Sequence, residues 1–216
     1  MDIALARFNM IEQQIRPTDV SSSEVLELLN QVKREDFFTT AQQSLAFSDT
    51  SLPLKSGVFS LPPKIEARMV QEVAAKETDS VLVVGADSGY LAALLAHQAR
   101  YVTVMDVLPE LVHLAKNNLS KNAYTNVDVV LGDALQNQPS PTYDVIVVTG
   151  SLEALPEGLQ EQLNVGGRMF VVIGAAPVMT AHLISRESEL FFNTKKLFET
   201  FVPRLSQAAV ASHFTL

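Results

Sequence analysis

Residues 80–96 read SVLVVGADSGYLAALLA, and this stretch decides the fold. The run Val81 to Val84 is continuously apolar and ends on Gly85. A strand without polar alternation is one covered on both faces. Gly89 then opens a segment of helical composition, so the unit is a buried strand, a tight glycine turn and a helix.

The same rhythm continues downstream. YVTVMD, residues 101–106, reads as the next buried strand, and Pro109 opens a helix carrying Leu111, Leu114, Ala115 and Leu119. VDVVLGD, YDVIVVTG and RMFVVIG add further buried strands, with a short helical segment from Pro156 to Leu163 before the last. Buried strands separated by helices predict an α/β architecture: a Rossmann-like, doubly wound, mostly parallel sheet. From Met179 the alternation loosens, which predicts edge strands over 179–216.

Upstream the chain reads as helical. Phe8, Ile11 and Ile15 share one face and Pro17 closes that segment. Ser21 and Glu24 have capping-box spacing ahead of an apolar stripe of Val25, Leu28, Leu29 and Val32. SDTSLPLKSGVFSLPP, residues 48–63, is a long irregular stretch of the kind that carries function. Pro63 then opens a helix with Ile65, Met69 and Val73 on its inner face. The expected organisation is one domain over 1–216. It comprises a helical extension (1–79), a ligand-binding core (80–178) and edge strands (179–216).

Composition narrows the chemistry. The 216 residues are 47% hydrophobic and 19% charged, which excludes a disordered chain. Cysteine is absent, so disulfides, cysteine-based metal centres and thiol catalysis are excluded. A formal charge of −8 without a basic patch argues against nucleic acid as a partner. His97, His113, His182 and His213 show no ligand spacing, so no metal is expected. MDIALARFNMIEQQIRP has no apolar core of signal-peptide length, and no stretch reaches the length of a membrane span. A cytoplasmic protein without a membrane partner is the expectation.

Three strand ends point at one crevice. Gly85, Ala86, Asp87, Ser88 and Gly89 form the first turn, whose free amides favour an anion. Asp106 follows Gly85 by 21 residues, the spacing at which an acid accepts hydrogen bonds from ribose hydroxyls, with Val107 beside it. It can equally cap the helix at Pro109. Asp133 and Ala134 end the third strand, where an aspartate can accept from an adenine amine or simply close a turn. Thr149 and Gly150 end the fourth. A nicotinamide site would carry three glycines in the first turn and has no use for Asp133. S-adenosyl-L-methionine therefore fits better than a dinucleotide.

The chain resembles the protein-L-isoaspartate (D-aspartate) O-methyltransferase family from about Met10 to about Leu205. MIEQQIR resembles the family's opening helix, and REDFF its Pro-Arg-Glu-x-Phe segment. FSLPP stands where the family has Thr-Ile-Ser-Gln-Pro, and VVGADSGYLAALLA where it has Glu-Ile-Gly-Thr-Gly-Ser-Gly-Tyr and its helix. Asp106, LGDA, YDVIVVTG, LPEGLQEQLNVGGRM and FVP follow in order. The resemblance implies a seven-stranded class I methyltransferase fold. It also implies transfer of methyl from S-adenosyl-L-methionine to the free carboxylate of isoaspartyl residues in proteins or peptides, or to another small carboxylate. The product would be S-adenosyl-L-homocysteine. By the same carry-over Ser60 is the catalytic candidate, placed beside the substrate carboxylate.

Three positions depart from the family pattern. Val58 replaces a threonine, Val83 the first-turn acid and Asp87 the middle glycine. Asp87 is expected to repel the cofactor's carboxylate; the alternative is pairing with its ammonium. The departures also define a competing reading, a degenerate relative that serves as a binding or structural module.

Overall fold

The computed structural model describes residues 2–136 and 141–206. Helix α1 (Ile3–Asn9) runs into a π-turn, Met10–Ile15, and is followed by α2 (Ser23–Gln31) and α3 (Pro63–Val73). Then come β1 (Ser80–Val84), α4 (Tyr90–Ala96), β2 (Tyr101–Asp106), α5 (Pro109–Lys121) and β3 (Val127–Leu131). The chain continues as β4 (Tyr143–Leu152), α6 (Glu157–Gln160), β5 (Leu163–Ala175), β6 (Val178–Arg186) and β7 (Phe192–Thr200).

The strands form one seven-stranded sheet in the order β3-β2-β1-β4-β5-β6-β7. The pairs from β3 to β5 are parallel, while β6 and β7 add on antiparallel. Both faces of β1 are buried, as its unbroken apolar run requires. Val81 and Val83 join the core shared with α3, α4 and α5, whereas Leu82 and Val84 face the core beneath Leu159 of α6. Since β2 lies on one side of β1 and β4 on the other, the chain reverses its direction of winding there. Open α/β sheets bind ligands at that point.

Arg168 of β5 fastens the helical extension to the sheet. It donates to the carbonyls of Val73 and Ala74 at 2.6 Å each, and to Asp79 at 2.8 Å. The last carbonyls of α3 are thereby satisfied by a cation, as a helix C-terminus favours.

Four expectations need correction. Phe8 is 55% exposed while Ile11 and Ile15 are buried, because the π-turn from Met10 widens the helix and rotates Phe8 off the buried face. Ser22, not Ser21, caps α2, accepting from the Val25 amide at 3.3 Å; the amide of Ser21 is held by Gln71 instead. β3 is an edge strand with only Val129 buried, since β2 covers one of its edges and nothing among the described residues pairs with the other. The edge strands end at Thr200, and residues 207–216 of the expected edge region lie outside the described residues.

Replacing Arg168 by leucine should destabilise the protein by about 2–4 kcal/mol through lost charge-assisted bonds and uncapped carbonyls. Urea unfolding checks this, with the midpoint falling at unchanged slope.

Candidate active site

The C-terminal ends of β1 and β4 meet at a narrow crevice lined in part by Val58, Phe59, Gly85, Asp87, Asp106, Leu111, Thr149 and Leu205. Gly85 has φ +96°, and a Cβ there would lie 2.1 Å from Thr149 Oγ1 and 2.9 Å from Leu205 Cδ1. Glycine is therefore required for backbone shape and for space alike. Gly89, at φ +89°, lets α4 approach the backbone of α5. A Cβ there would come 3.3 Å from Ala115 Cα.

Asp106 is 2% exposed and bridges two backbone segments. Its Oδ2 accepts from the Ala86 amide at 2.7 Å and its Oδ1 from the Leu108 amide at 2.8 Å. The acid thus welds the end of β2 to the glycine turn. Each oxygen keeps a lone pair for a further donor. Thr149 donates to the Val84 carbonyl at 3.0 Å, keeping its oxygen and Cβ against Gly85.

The remaining candidates lie around this centre rather than in its wall. Asp133 closes its own turn, accepting from the Leu135 amide at 3.0 Å and Gln136 Nε2 at 3.3 Å. Ala134 is fully buried and its carbonyl accepts from Gln162 at 2.9 Å. Ser88 is buried and its carbonyl accepts from Asn118 at 2.9 Å. Val107 is half-buried beside Asp106.

Ser60 sits at the base of a small hairpin, closed by the Pro53–Phe59 bridge and the bond from Leu54 N to Val58 O at 2.8 Å. It is fully buried: its hydroxyl oxygen accepts from the Leu52 amide at 3.0 Å, and its own amide donates to the Leu52 carbonyl at 2.8 Å. Val58 and Phe59 at the hairpin's end are the residues that reach the crevice.

Sequence reasoning missed the group behind this hairpin. Arg34, 1% exposed, lies between the rings of Phe38 and Tyr90, 4.8 and 5.7 Å from their centroids. It donates to Glu66 at 2.7 Å, to the Ala46 carbonyl at 2.9 Å and to the Leu61 carbonyl at 2.8 Å. Asp87, at φ +50°, accepts from the Leu61 amide at 2.9 Å and from the amide of Ser88. Leu61 therefore has its amide held by one buried charge and its carbonyl by another. Burial pushes the Glu66 carboxyl up to about 8; Arg34 opposes the rise and Asp87 adds to it. Burial also raises Asp87, against the donors from Leu61 and Ser88 and the charge of Arg34. One guanidinium faces two buried carboxyls, so the cluster retains a proton near neutral pH. The one available sign was Asp87 itself, a carboxylate at a position where the family carries glycine.

A strand-end acid, Asp106, beside a glycine turn at the switch point of a β3-β2-β1-β4-β5 sheet fits the class I methyltransferase architecture. Comparison with known proteins then resolves the family. The model of the protein-L-isoaspartate(D-aspartate) O-methyltransferase family matches residues 6–209, and the chain belongs to that family. A protein-L-isoaspartate O-methyltransferase of Methanoculleus marisnigri is 35% identical over 169 residues, covering 78% of this chain and 77% of the relative. One from Koribacter versatilis is 32% identical over 201 residues, covering 93% and 90%. Among solved structures, a Plasmodium falciparum protein-L-isoaspartate O-methyltransferase in complex with S-adenosyl-L-homocysteine superposes with a TM-score of 0.80 at 19% identity. That match covers 91% of this chain and 96% of the other, and it shows a shared fold.

The buried proton makes a prediction about pH. A carboxyl raised in the folded state holds a proton that the unfolded chain releases, so stability falls as pH rises from about 5 to about 8. Glu66→Gln should remove at least about 1 kcal/mol of that fall, the equivalent of one pKa unit. Urea midpoints of both proteins at pH 5 and pH 8 measure it.

Proposed function

We propose that this chain is an S-adenosyl-L-methionine-dependent O-methyltransferase that esterifies the free carboxylate of L-isoaspartyl or D-aspartyl residues in proteins. The observation that carries the reading is the convergence of Gly85, Asp106 and Thr149 on one crevice with the Val58–Phe59 end of the hairpin over it, in a member of this family. A relative's structure contains S-adenosyl-L-homocysteine. The residues here fit such a group in kind. Gly85 brings bare backbone to the crevice wall, and Asp106 keeps one lone pair on each oxygen.

When bound, the cofactor supplies an electrophilic methyl group. Gly85, which lines the crevice without a side chain, would face its amino-acid end, and Asp106 would hold its ribose; the Ala86 and Ser88 amides are already given to Asp106 and Asp87. The acceptor carboxylate is ionised at neutral pH, so the chain needs no strong base. Two opposite charges fade as they react, and a site that excludes water while aligning them supplies the rate. Ser60 stays the catalytic candidate: with its oxygen engaged by Leu52 it keeps a hydroxyl proton, but it is buried behind the crevice wall, and an acceptor would reach it only once the hairpin shifts. Among the described residues no group of three or more acids and histidines is placed to hold a metal, and no helix is long and apolar enough to cross a membrane. A cytoplasmic setting is part of the proposal, and cell fractionation tests it.

Space is the outstanding constraint. The crevice measures about 20 Å³, whereas small-molecule sites span about 300 Å³ or more. Leu205 pinches it, held in place because the Ser151 amide donates to the Pro203 carbonyl at 2.9 Å and the Leu205 amide to the Ser151 carbonyl at 3.1 Å. Cofactor entry requires this segment to withdraw. Leu205→Ala should therefore bind S-adenosyl-L-homocysteine about tenfold more tightly, about 1.4 kcal/mol, by calorimetric titration of the folded variant.

The function itself is tested by methyl transfer to an isoaspartyl peptide beside its aspartyl control. Transfer to the first alone supports the reading. Absence of both transfer and cofactor binding would overturn it in favour of a degenerate binding or structural module.

A further inference from the structure

We propose that Asp87 is a positioning residue that latches the hairpin of residues 52–60 onto the cofactor turn, making acceptor placement depend on a carboxylate where the family has glycine. The inference rests on the methyltransferase reading above.

Its grounds are geometric. Asp87 belongs to the turn between β1 and α4, yet its Oδ2 accepts from the amide of Leu61, 26 positions away and directly after Ser60. Its Oδ1 accepts from the neighbouring Ser88 amide, so both oxygens serve backbone. The carboxylate is 6% exposed, which leaves little of it to water. Arg34 takes the carbonyl of the same Leu61 at 2.8 Å and anchors it to Glu66 on α3. Leu61, the residue that follows the hairpin, is thus held on its amide and its carbonyl by buried charges of opposite sign. Neither expected role, repulsion of a cofactor carboxylate or pairing with its ammonium, accounts for these contacts.

A glycine at this turn can supply the left-handed backbone but no acceptor for Leu61. Aspartate supplies both, because it tolerates φ near +50° better than most residues. The groups facing Asp87 are Arg34 from the 34–38 turn, Glu66 from α3 and the amides of Leu61 and Ser88.

The test compares wild type, Asp87→Gly and Asp87→Asn, the last retaining an acceptor oxygen. Three quantities are read: hydrogen exchange at the Leu61 amide, affinity for S-adenosyl-L-homocysteine, and kcat and KM for an isoaspartyl peptide at saturating methyl donor. The latch predicts that Asp87→Gly speeds Leu61 exchange tenfold or more. It also predicts a peptide KM raised fivefold or more, a larger change than in kcat or in cofactor affinity. Asp87→Asn should recover most of both effects. Unchanged Leu61 exchange and unchanged peptide KM in Asp87→Gly would overturn the proposal, as would a change confined to cofactor affinity. An inactive wild type whose Leu61 amide still depends on Asp87 would sink the functional reading alone and leave the latch standing.

Discussion

A guanidinium buried where no water reaches it sets the constraint on which the rest of this structure depends. Arg34 is stacked between Phe38 and Tyr90 and must spend its donors within the protein. It does so on Glu66, Ala46 and Leu61, which belong to α3, the segment before the hairpin and the hairpin's exit. A buried pair of this kind is not a large source of stability in itself. Removing one partner is costly, commonly about 3–5 kcal/mol, because the other is left charged and uncompensated. Its effect is to fix how the segment at Ala46 and the exit of the hairpin sit against α3.

That arrangement matters because the sheet brings only half of the site. The strands place Gly85, Asp106 and Thr149 at the switch point, and their geometry is fixed by ladder bonds and by the Asp106 bridge between Ala86 and Leu108. The other wall, Val58 and Phe59, comes from an irregular hairpin that is not part of the sheet's ladder. Arg34 and Asp87 join the two halves through a single residue, Leu61. The C-terminal segment closes the third side, with Leu205 fitting over Gly150, where a Cβ would stand 2.6 Å from the Leu205 amide.

Much of this was legible in the residues. The continuous apolar run ending on Gly85 predicted β1, and the runs to Asp106 and Gly150 predicted β2 and β4, although β2 alternates in burial and β4 continues through a register shift to Leu152. Pro63 and Pro109 marked helix starts, which they open in the structure. Local pattern failed where a long-range partner decides the outcome. Ser22 rather than Ser21 caps α2 because the helix begins at Ser23, and Gln71, distant in sequence, fixes that start by accepting from the amides of both serines. Phe8 was misplaced because a π-turn leaves no sequence period to count. At the site, the hydroxyl of Ser60 turned out to be tied to Leu52, and Asp87 to Leu61. Nothing in residue spacing announces a bond from a side chain to a backbone amide across two loops. The unusual carboxylate at position 87 was visible; its partner was not.

The central claim is that Arg34, Leu61 and Asp87 act as one buried unit joining loop to turn. A double-mutant cycle on unfolding free energy, using Arg34→Met and Asp87→Asn, measures this directly. Losing the cation leaves Asp87 buried without compensation, so neutralising it should cost less in the Arg34→Met background than in wild type. The account predicts a coupling of about 1 kcal/mol or more, within the range found for residues in one network. Additivity to within about 0.5 kcal/mol would contradict it, showing that the two charges hold their segments independently.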